Sequence, residues 1–400
     1  MSVSAAASRS APTFIIILLS VAAFAAAANM RVLDPLLIQL GDEFHVTVGA
    51  ASIATTLFLL ANGVFVLVHG PFGDRYGKIP VVAIACLAAA LCCAASALAI
   101  SLGMLAGTRF LTGVTSSAII PLAIAWLGDN VGYEKRQATL ARFLTGQTLG
   151  LMTGSAMGGA LGDWLGWRAV FWVLTSIYVV AGIALFAVMR ARPDIARPGE
   201  RAAGSMISQM VGVLRRRWAL TIILVVALEG GVFWGCFTFV GTHLHLRFGL
   251  SLAAVGLAVA AFGGGGFLYV MTAHHLVRLL GERGLVLWGG TGLGLSFAVL
   301  AVAPNAVVAF GAIVLCGITF YMLHNTLQTN GTQMAPEARG SALALFSLCL
   351  FGGQAIGVPV AAPIVDRYGA VPIFCFAAGF LPLLSWYFAW ALRRRRTPVG

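Results

Sequence analysis

Apolar residues in this chain neither alternate nor follow a helical stripe; they run unbroken, stop at short clusters of Gly, Pro and charge, and resume. A run of about 18 residues or more is long enough to cross the ~30 Å hydrocarbon core of a bilayer as a helix. The punctuation predicts helices over 13–40, 48–69, 80–100, 103–127, 138–162, 167–189, 218–246, 252–273, 284–303, 305–329, 341–363 and 370–392. One long polar interruption, 190–217, carries Arg190, Arg192, Arg197, Arg201, Arg215, Arg216 and Arg217 against Asp194 and Glu200. The expected fold is an all-α polytopic membrane protein with twelve transmembrane helices in two six-helix bundles. The expected units are 1–189, a cytoplasmic basic linker at 190–217, and 218–400.

Composition excludes a soluble protein. Of 400 residues, 60% are apolar and only 10% charged, against the ~25% charged usual in globular chains, and the mean hydropathy is +0.95. A formal charge of +12 would point a soluble chain toward nucleic acid. Here the basic residues sit in the connections and report topology instead. With a cytoplasmic N-terminus, the cytoplasmic segments hold 20 of the 25 Lys and Arg and the outer loops only Arg168, Arg247 and Arg367, with Arg31 and Arg109 inside spans. Both termini are therefore expected in the cytoplasm. Arg9 ahead of an apolar stretch ending at Ala25 to Ala28 has the outline of a signal peptide, but the run continues beyond it, so retention as the first span is expected. All seven cysteines fall inside apolar runs with no CxxC pair or Cys/His cluster, which leaves metal and disulfide readings without support.

The two halves repeat. Glu134 and Glu337, Arg136 and Arg339, Gly150 and Gly353, Gly154 and Gly357, Asp163 and Asp366, Gly166 and Gly369, and Phe171 and Phe374 are each 203 positions apart. Parallel repeats of six spans are the trace of a transporter built from two bundles, with the substrate site between them near the midplane.

Gly70-Pro71-Phe72-Gly73-Asp74-Arg75-Tyr76-Gly77-Lys78 after the second helix resembles the signature loop of the major facilitator superfamily. Leu105, Arg109, Thr112 and Gly113 are similar to a second family motif, with Thr112 where Gln is common. Gly150, Gly154, Ser155, Gly158 and Gly159 resemble the fifth-helix motif of the drug:proton antiporters, with Ser155 in place of the family's Pro and Ala141 at its upstream Gly. Gly166-Trp167-Arg168 with Phe171, and Pro336-Glu337 with Arg339-Gly340, extend the likeness to both halves. The resemblance implies that Asp74 faces the N-terminal end of helix 11, whose dipole favours an anion, and that a basic residue of the loop pairs with the acid ending helix 4, where Asp129 stands. A cytoplasmic gate of Gly70, Asp74, Arg75, Gly77, Lys78 and Asp129 is thus expected to hold the inward side shut in the outward-facing state. At Arg109 the resemblance implies a role in proton transfer or substrate coupling.

Ionisable groups inside spans mark mechanism, because a charge at a helix centre costs about 2.5–3.5 kcal/mol on insertion scales. Glu229 lies near the middle of helix 7, followed by Gly230, Gly231, Phe233 and Trp234, and is a candidate proton carrier or counter-charge for a cationic substrate. Arg31 and Asp34 share a face of helix 1 beside Pro35, either as a structural pair or on the substrate path. Arg109 needs Asp34, Glu229 or a substrate anion as partner. Asn62, Gln147, His324, Asn325 and Gln354 are expected mainly in interhelical hydrogen bonds. Phe233, Trp234, Phe237, Phe239 and Tyr321 form an aromatic wall or simply pack. Gly146, Gly150, Gly154 and Gly158 recur every four residues and flatten one side of helix 5, echoed by Gly353 and Gly357 in helix 11, for rocking or for static packing; Gly263 to Gly266 read as a bend in helix 8.

The leading expectation is a proton-coupled exporter of small organic molecules or drugs working by alternating access, monomeric, in a bacterial inner membrane, with no cofactor or metal and with protons, substrate and lipid as partners. The alternative is a narrow carrier of a sugar, amino acid or other metabolite. A non-transporting sensor would need a signalling domain that neither the linker nor the tails hold. An enzyme is disfavoured, since no nucleophile–base set, HExxH or Walker-type loop is present.

Overall fold

A computed structural model describes residues 13–196 and 206–395. Arg9, and with it the signal-peptide reading, lies outside the described residues, as do Arg197, Glu200, Arg201 and Arg396. Among the described residues, ten helices are long and apolar enough to cross a membrane. One of these, Leu252–Val302, spans 51 residues and turns at Gly281, whose φ of 63° departs from helical geometry, so it counts as two crossings. Tyr133–Leu165, 33 residues and richer in Gly and Thr, adds another and brings the crossings to twelve.

In chain order the helices are α1 (Thr13–Phe44), α2 (Val48–Tyr76), α3 (Lys78–Ala97), α4 (Leu102–Asn130), α5 (Tyr133–Leu165), α6 (Trp167–Ala191), α7 (Arg217–Phe248), α8 (252–280), α9 (282–302), α10 (Ala306–Gln333), α11 (Arg339–Tyr368) and α12 (Val371–Arg395). Twelve crossings leave both ends of the described chain and the segment joining α6 to α7 on one side, here the linker face. That segment carries a short helix, Met206–Leu214, tied to α11 by a hydrogen bond from Ser341 Oγ to Gln209 Oε1 (2.8 Å).

Each half has its own apolar core. One cluster gathers residues from Ile15 to Ile195, including the buried Phe143, Trp167, Phe171 and Tyr178. The other gathers Val213 to Leu392 around Phe233, Phe237, Phe297, Phe374 and Phe388, with Leu37 of α1 reaching into it. The glycine stripe of α5 explains how the first bundle closes: a Cβ on Gly146, Gly150, Gly154 or Gly158 would stand 2.2–2.8 Å from the backbone oxygens of Ser20, Phe24, Ala28 and Val32 in α1. α11 repeats the device on α7, where Gly353 and Gly357 lie against Ala227 and Gly231. These faces therefore join helices within a bundle rather than lining a sliding surface between bundles. Gly263 to Gly266 keep helical backbone angles. Without a Cβ, Gly263 admits Met152 of α5, and Gly265 and Gly266 admit Val314 and Tyr321 of α10, while Gly264 faces open space.

The bundles meet along α5–α8 and α2–α11, from the face opposite the linker to mid-membrane. Gly159 and Gly256 approach backbone to backbone, Gly263 takes Met152, and Gly63 takes Phe351. Two repeat-related carboxylates close the far face. Asp366 Oδ1, at the end of α11, accepts from Gly49 N (2.8 Å) at the start of α2, and Asp163 Oδ2, at the end of α5, accepts from Ala253 N (3.4 Å) at the start of α8. Each places a negative charge on the positive end of a helix in the opposite bundle. Replacing both with Asn is expected to loosen the far-face seal roughly fivefold or more, at about 0.5–1 kcal/mol per contact. Faster reaction of a cysteine placed at the buried Val255 with a membrane-impermeant maleimide would show it; an unchanged rate would assign the seal to glycine packing alone.

Candidate functional site

Pro35 has no N–H to offer the carbonyl of Arg31 four residues back, so α1 breaks there into a 3-10 turn, Asp34–Leu36. Ser155 Oγ donates to that freed carbonyl (3.3 Å). The hydroxyl that stands in place of the family's proline thus satisfies the backbone of the break. Arg31, 5% exposed, reaches across to the second bundle: Nη2 donates to Gln354 Oε1 (2.6 Å) and Cζ lies 3.5 Å from the centre of the Trp234 ring. Asp34 Oδ2 is 3.7 Å from Nη1, an ion pair beyond hydrogen-bond reach. Arg31 and Ser155 line a narrow cleft with Leu151 and Met152 of α5, Trp234 and Phe237 of α7, and Val259 to Gly263 of α8 except Ala261.

Arg109 does not take an acid as its partner. It is fully buried in the first bundle, donating from Nη1 to Asn29 Oδ1 and from Nη2 to Asn29 O (2.9 Å), with Phe58 4.2 Å from Cζ. An amide dipole, a carbonyl and a π-face stand where a carboxylate was expected. Asn29 is held in turn by Tyr178 Oη and Cys93 Sγ. Removing these acceptors leaves a desolvated charge, so Asn29→Leu is expected to cost about 3 kcal/mol or more and to lower the unfolding midpoint in detergent. A midpoint equal to wild type would place the anchoring of Arg109 elsewhere.

Glu229 ends the first α-helical stretch of α7, residues 230–234 form a π-turn, and α-helix resumes beyond it. Such turns mark functional positions in helices, because the widened backbone gives up regular hydrogen bonding. The Glu229 side chain is sealed, and its Oε2 lies 2.9 Å from His324 Nδ1 of α10. His324 is stacked on Phe320 (5.0 Å, 10°), sits 5.8 Å from the Phe346 ring, and keeps 12% of its side chain exposed. Phe320 packs 5.5 Å from Trp234. A continuous path of contacts therefore runs from Arg31 through Trp234, Phe320 and His324 to Glu229. Phe233, Phe237 and Phe262 fill in around it, and Tyr321 packs beside Phe320; Phe239 is core.

At the linker face, Gly70 to Tyr76 is helical rather than a loop. Pro71 forfeits one hydrogen bond without ending α2, and the turn is confined to Gly77 (φ 93°). Lys78 Nζ lies 2.5 Å from Asp129 and 3.5 Å from Asp74, so these ion pairs stay inside the first bundle, while Arg75 stacks on Tyr76 (5.2 Å). Gly73 packs on Leu122, and Gly70 has open space where a Cβ would be. Gly150, Gly154 and Gly158 serve α1 packing, and Gly159 faces α8. Among the described residues no three His, Cys, Asp or Glu are grouped to hold a metal ion.

Sequence reasoning missed Asn29 as the partner of Arg109; at His324 it expected an interhelical hydrogen bond, and the structure forms that bond with Glu229. An Asn inside an apolar run was the available signal for the first; no spacing in the chain links positions 229 and 324.

The chain is similar over 351 residues, at 27% identity, to a chloramphenicol resistance protein of Streptomyces lividans, covering 86% of this chain and 87% of that one. It is 23% identical over 390 residues to the MFS-type transporter YwfA of Bacillus subtilis (strain 168), covering 95% and 92%. Its fold matches the crystal structure of the nucleoside transporter NupG with a TM-score of 0.78, at 14% identity and covering 94% and 98% of the two chains. The profile of the Major Facilitator Superfamily matches residues 19–358. With two six-helix bundles meeting around a mid-membrane cleft of apolar walls and one buried arginine, the chain is a membrane transporter belonging to the Major Facilitator Superfamily.

Proposed function

We propose that this transporter exports small organic molecules or drugs in exchange for protons, by rocking the bundles 1–189 and 218–400 about the 190–217 linker. The Glu229–His324 pair carries the reading. A carboxyl sealed from solvent stands within the span with one oxygen on an imidazole and with Oε1 lacking a hydrogen-bond partner in the protein, the placement of an intramembrane acid that relays a proton. His324, touching both Glu229 and the accessible surface, is the group through which that proton enters and leaves. The aromatic path from His324 to Trp234 joins proton site and cleft, so the protonation state and the packing at the cleft bias one another.

The positive-inside rule makes the linker face cytoplasmic. The structure is then closed outside, and the Asp74, Arg75, Lys78 and Asp129 cluster, on Gly70 and Gly77, is the gate that meets α11 when the cytoplasmic side shuts. A bacterial inner membrane and a monomer fit the relatives and the self-contained pair of bundles. The likeness to a chloramphenicol resistance protein supports export. The test is growth of an efflux-deficient bacterial host on a panel of antibiotics, cationic dyes and toxic metabolite analogues, wild type against empty vector at matched expression. Protection against at least one compound is expected, and protection against none would turn the assignment to a narrow metabolite carrier.

A further inference from the structure

We propose that the cleft at Arg31 is an anion-receiving subsite, and that the transported molecule carries a carboxylate or similar acid group beside an aromatic or apolar body. The proposal rests on the transport reading and names the substrate class for it. Arg31 is 95% buried (5% exposed), yet only one of its nitrogens is engaged: Nη2 donates to Gln354, while Nε and Nη1 have no hydrogen-bond partner in the protein. A buried guanidinium with unused donors is costly unless something accepts from them. Asp34 does not, since it stands 3.7 Å from Nη1, and both of its own oxygens also lack hydrogen bonds. It balances the charge of Arg31 while leaving the donors free.

The geometry of the cleft fits an acid group on an apolar body. Its free volume is about 10 Å³, room for about one water molecule and enough for a carboxylate oxygen against Nε or Nη1. Around that point stand Met152, Trp234, Phe237 and Phe262, apolar walls for the rest of the ligand, with Ser155 as the neighbouring hydroxyl. Walls come from both bundles, so a larger ligand is admitted only as the bundles part. Gln354 and Trp234 belong to the second bundle and Arg31 to the first. A ligand that withdraws Arg31 from Gln354 therefore loosens one contact between the bundles and couples binding to their rocking.

The test uses purified protein in detergent and three probes of one shape and different charge: benzoate, benzamide and benzamidinium. Thermal unfolding and tryptophan fluorescence are followed during titration. Benzoate is expected to raise the unfolding midpoint and bind more tightly than benzamide, with benzamidinium weakest; this comparison needs no variant. Arg31→Gln is expected to lower benzoate affinity on the order of tenfold or more, while Arg31→Lys keeps part of it. Equal binding of the three probes overturns the proposal, and preference for benzamidinium overturns it in favour of a cation site at Asp34. No proton gradient is present, so failure of proton-coupled export leaves the binding result standing, and loss of benzoate preference leaves export standing.

Discussion

Glu229→Gln is expected to abolish proton-driven transport while leaving the protein folded. Gln keeps the size of the side chain and can still hydrogen-bond to His324 Nδ1, but it cannot gain and lose a proton. If proton and substrate are coupled through this site, their binding energies are linked reciprocally, and removing the linkage lowers gradient-driven flux on the order of tenfold or more. In everted vesicles, substrate addition should discharge a pre-formed proton gradient for wild type and not for the variant. In the resistance assay, protection should vanish at equal expression. His324→Phe should behave likewise, because the buried carboxyl then loses its one contact with an accessible group. Full activity in Glu229→Gln would reduce Glu229 and His324 to a hydrogen bond holding α7 to α10.

Gly150→Val is expected to prevent assembly of the first bundle. A Cβ at this position would lie 2.2 Å from Phe24 O and 2.8 Å from Phe24 Cα, inside contact distance of rigid backbone rather than a movable side-chain tip. Overpacking commonly costs about 1–3 kcal/mol, and backbone of α1 cannot turn aside as a rotamer can. Membrane helices lack a hydrophobic drive toward one another and associate through this kind of close approach. The expected result is loss of monodisperse protein on size-exclusion chromatography, against near-normal yield for Gly264→Val, whose Cβ meets nothing within 4 Å. Comparable yields for the two variants would mean that α1 and α5 tolerate separation.

Membrane residence, twelve crossings and the internal duplication were legible in the chain, because each depends on run length or on residue spacing. The bilayer demands about 20 apolar residues per span whatever their order, and a duplication leaves its offset in the numbering. Intramembrane Arg31, Asp34, Arg109 and Glu229 stood out for the same reason: a charge in an apolar run needs an explanation wherever it points. Pro35 and Arg31 show where local reasoning reaches further, since the missing N–H and the carbonyl it orphans lie four residues apart. Partner choice was of a different kind. That Arg109 turns to Asn29 rather than to an acid, that His324 meets Glu229, that Gln354 and Trp234 take Arg31, and that Asp163 and Asp366 cap helices of the opposite bundle depends on contacts between residues 80 to 323 positions apart. Helix rotation and crossing set those contacts, and both are decided by where the glycines let backbones touch.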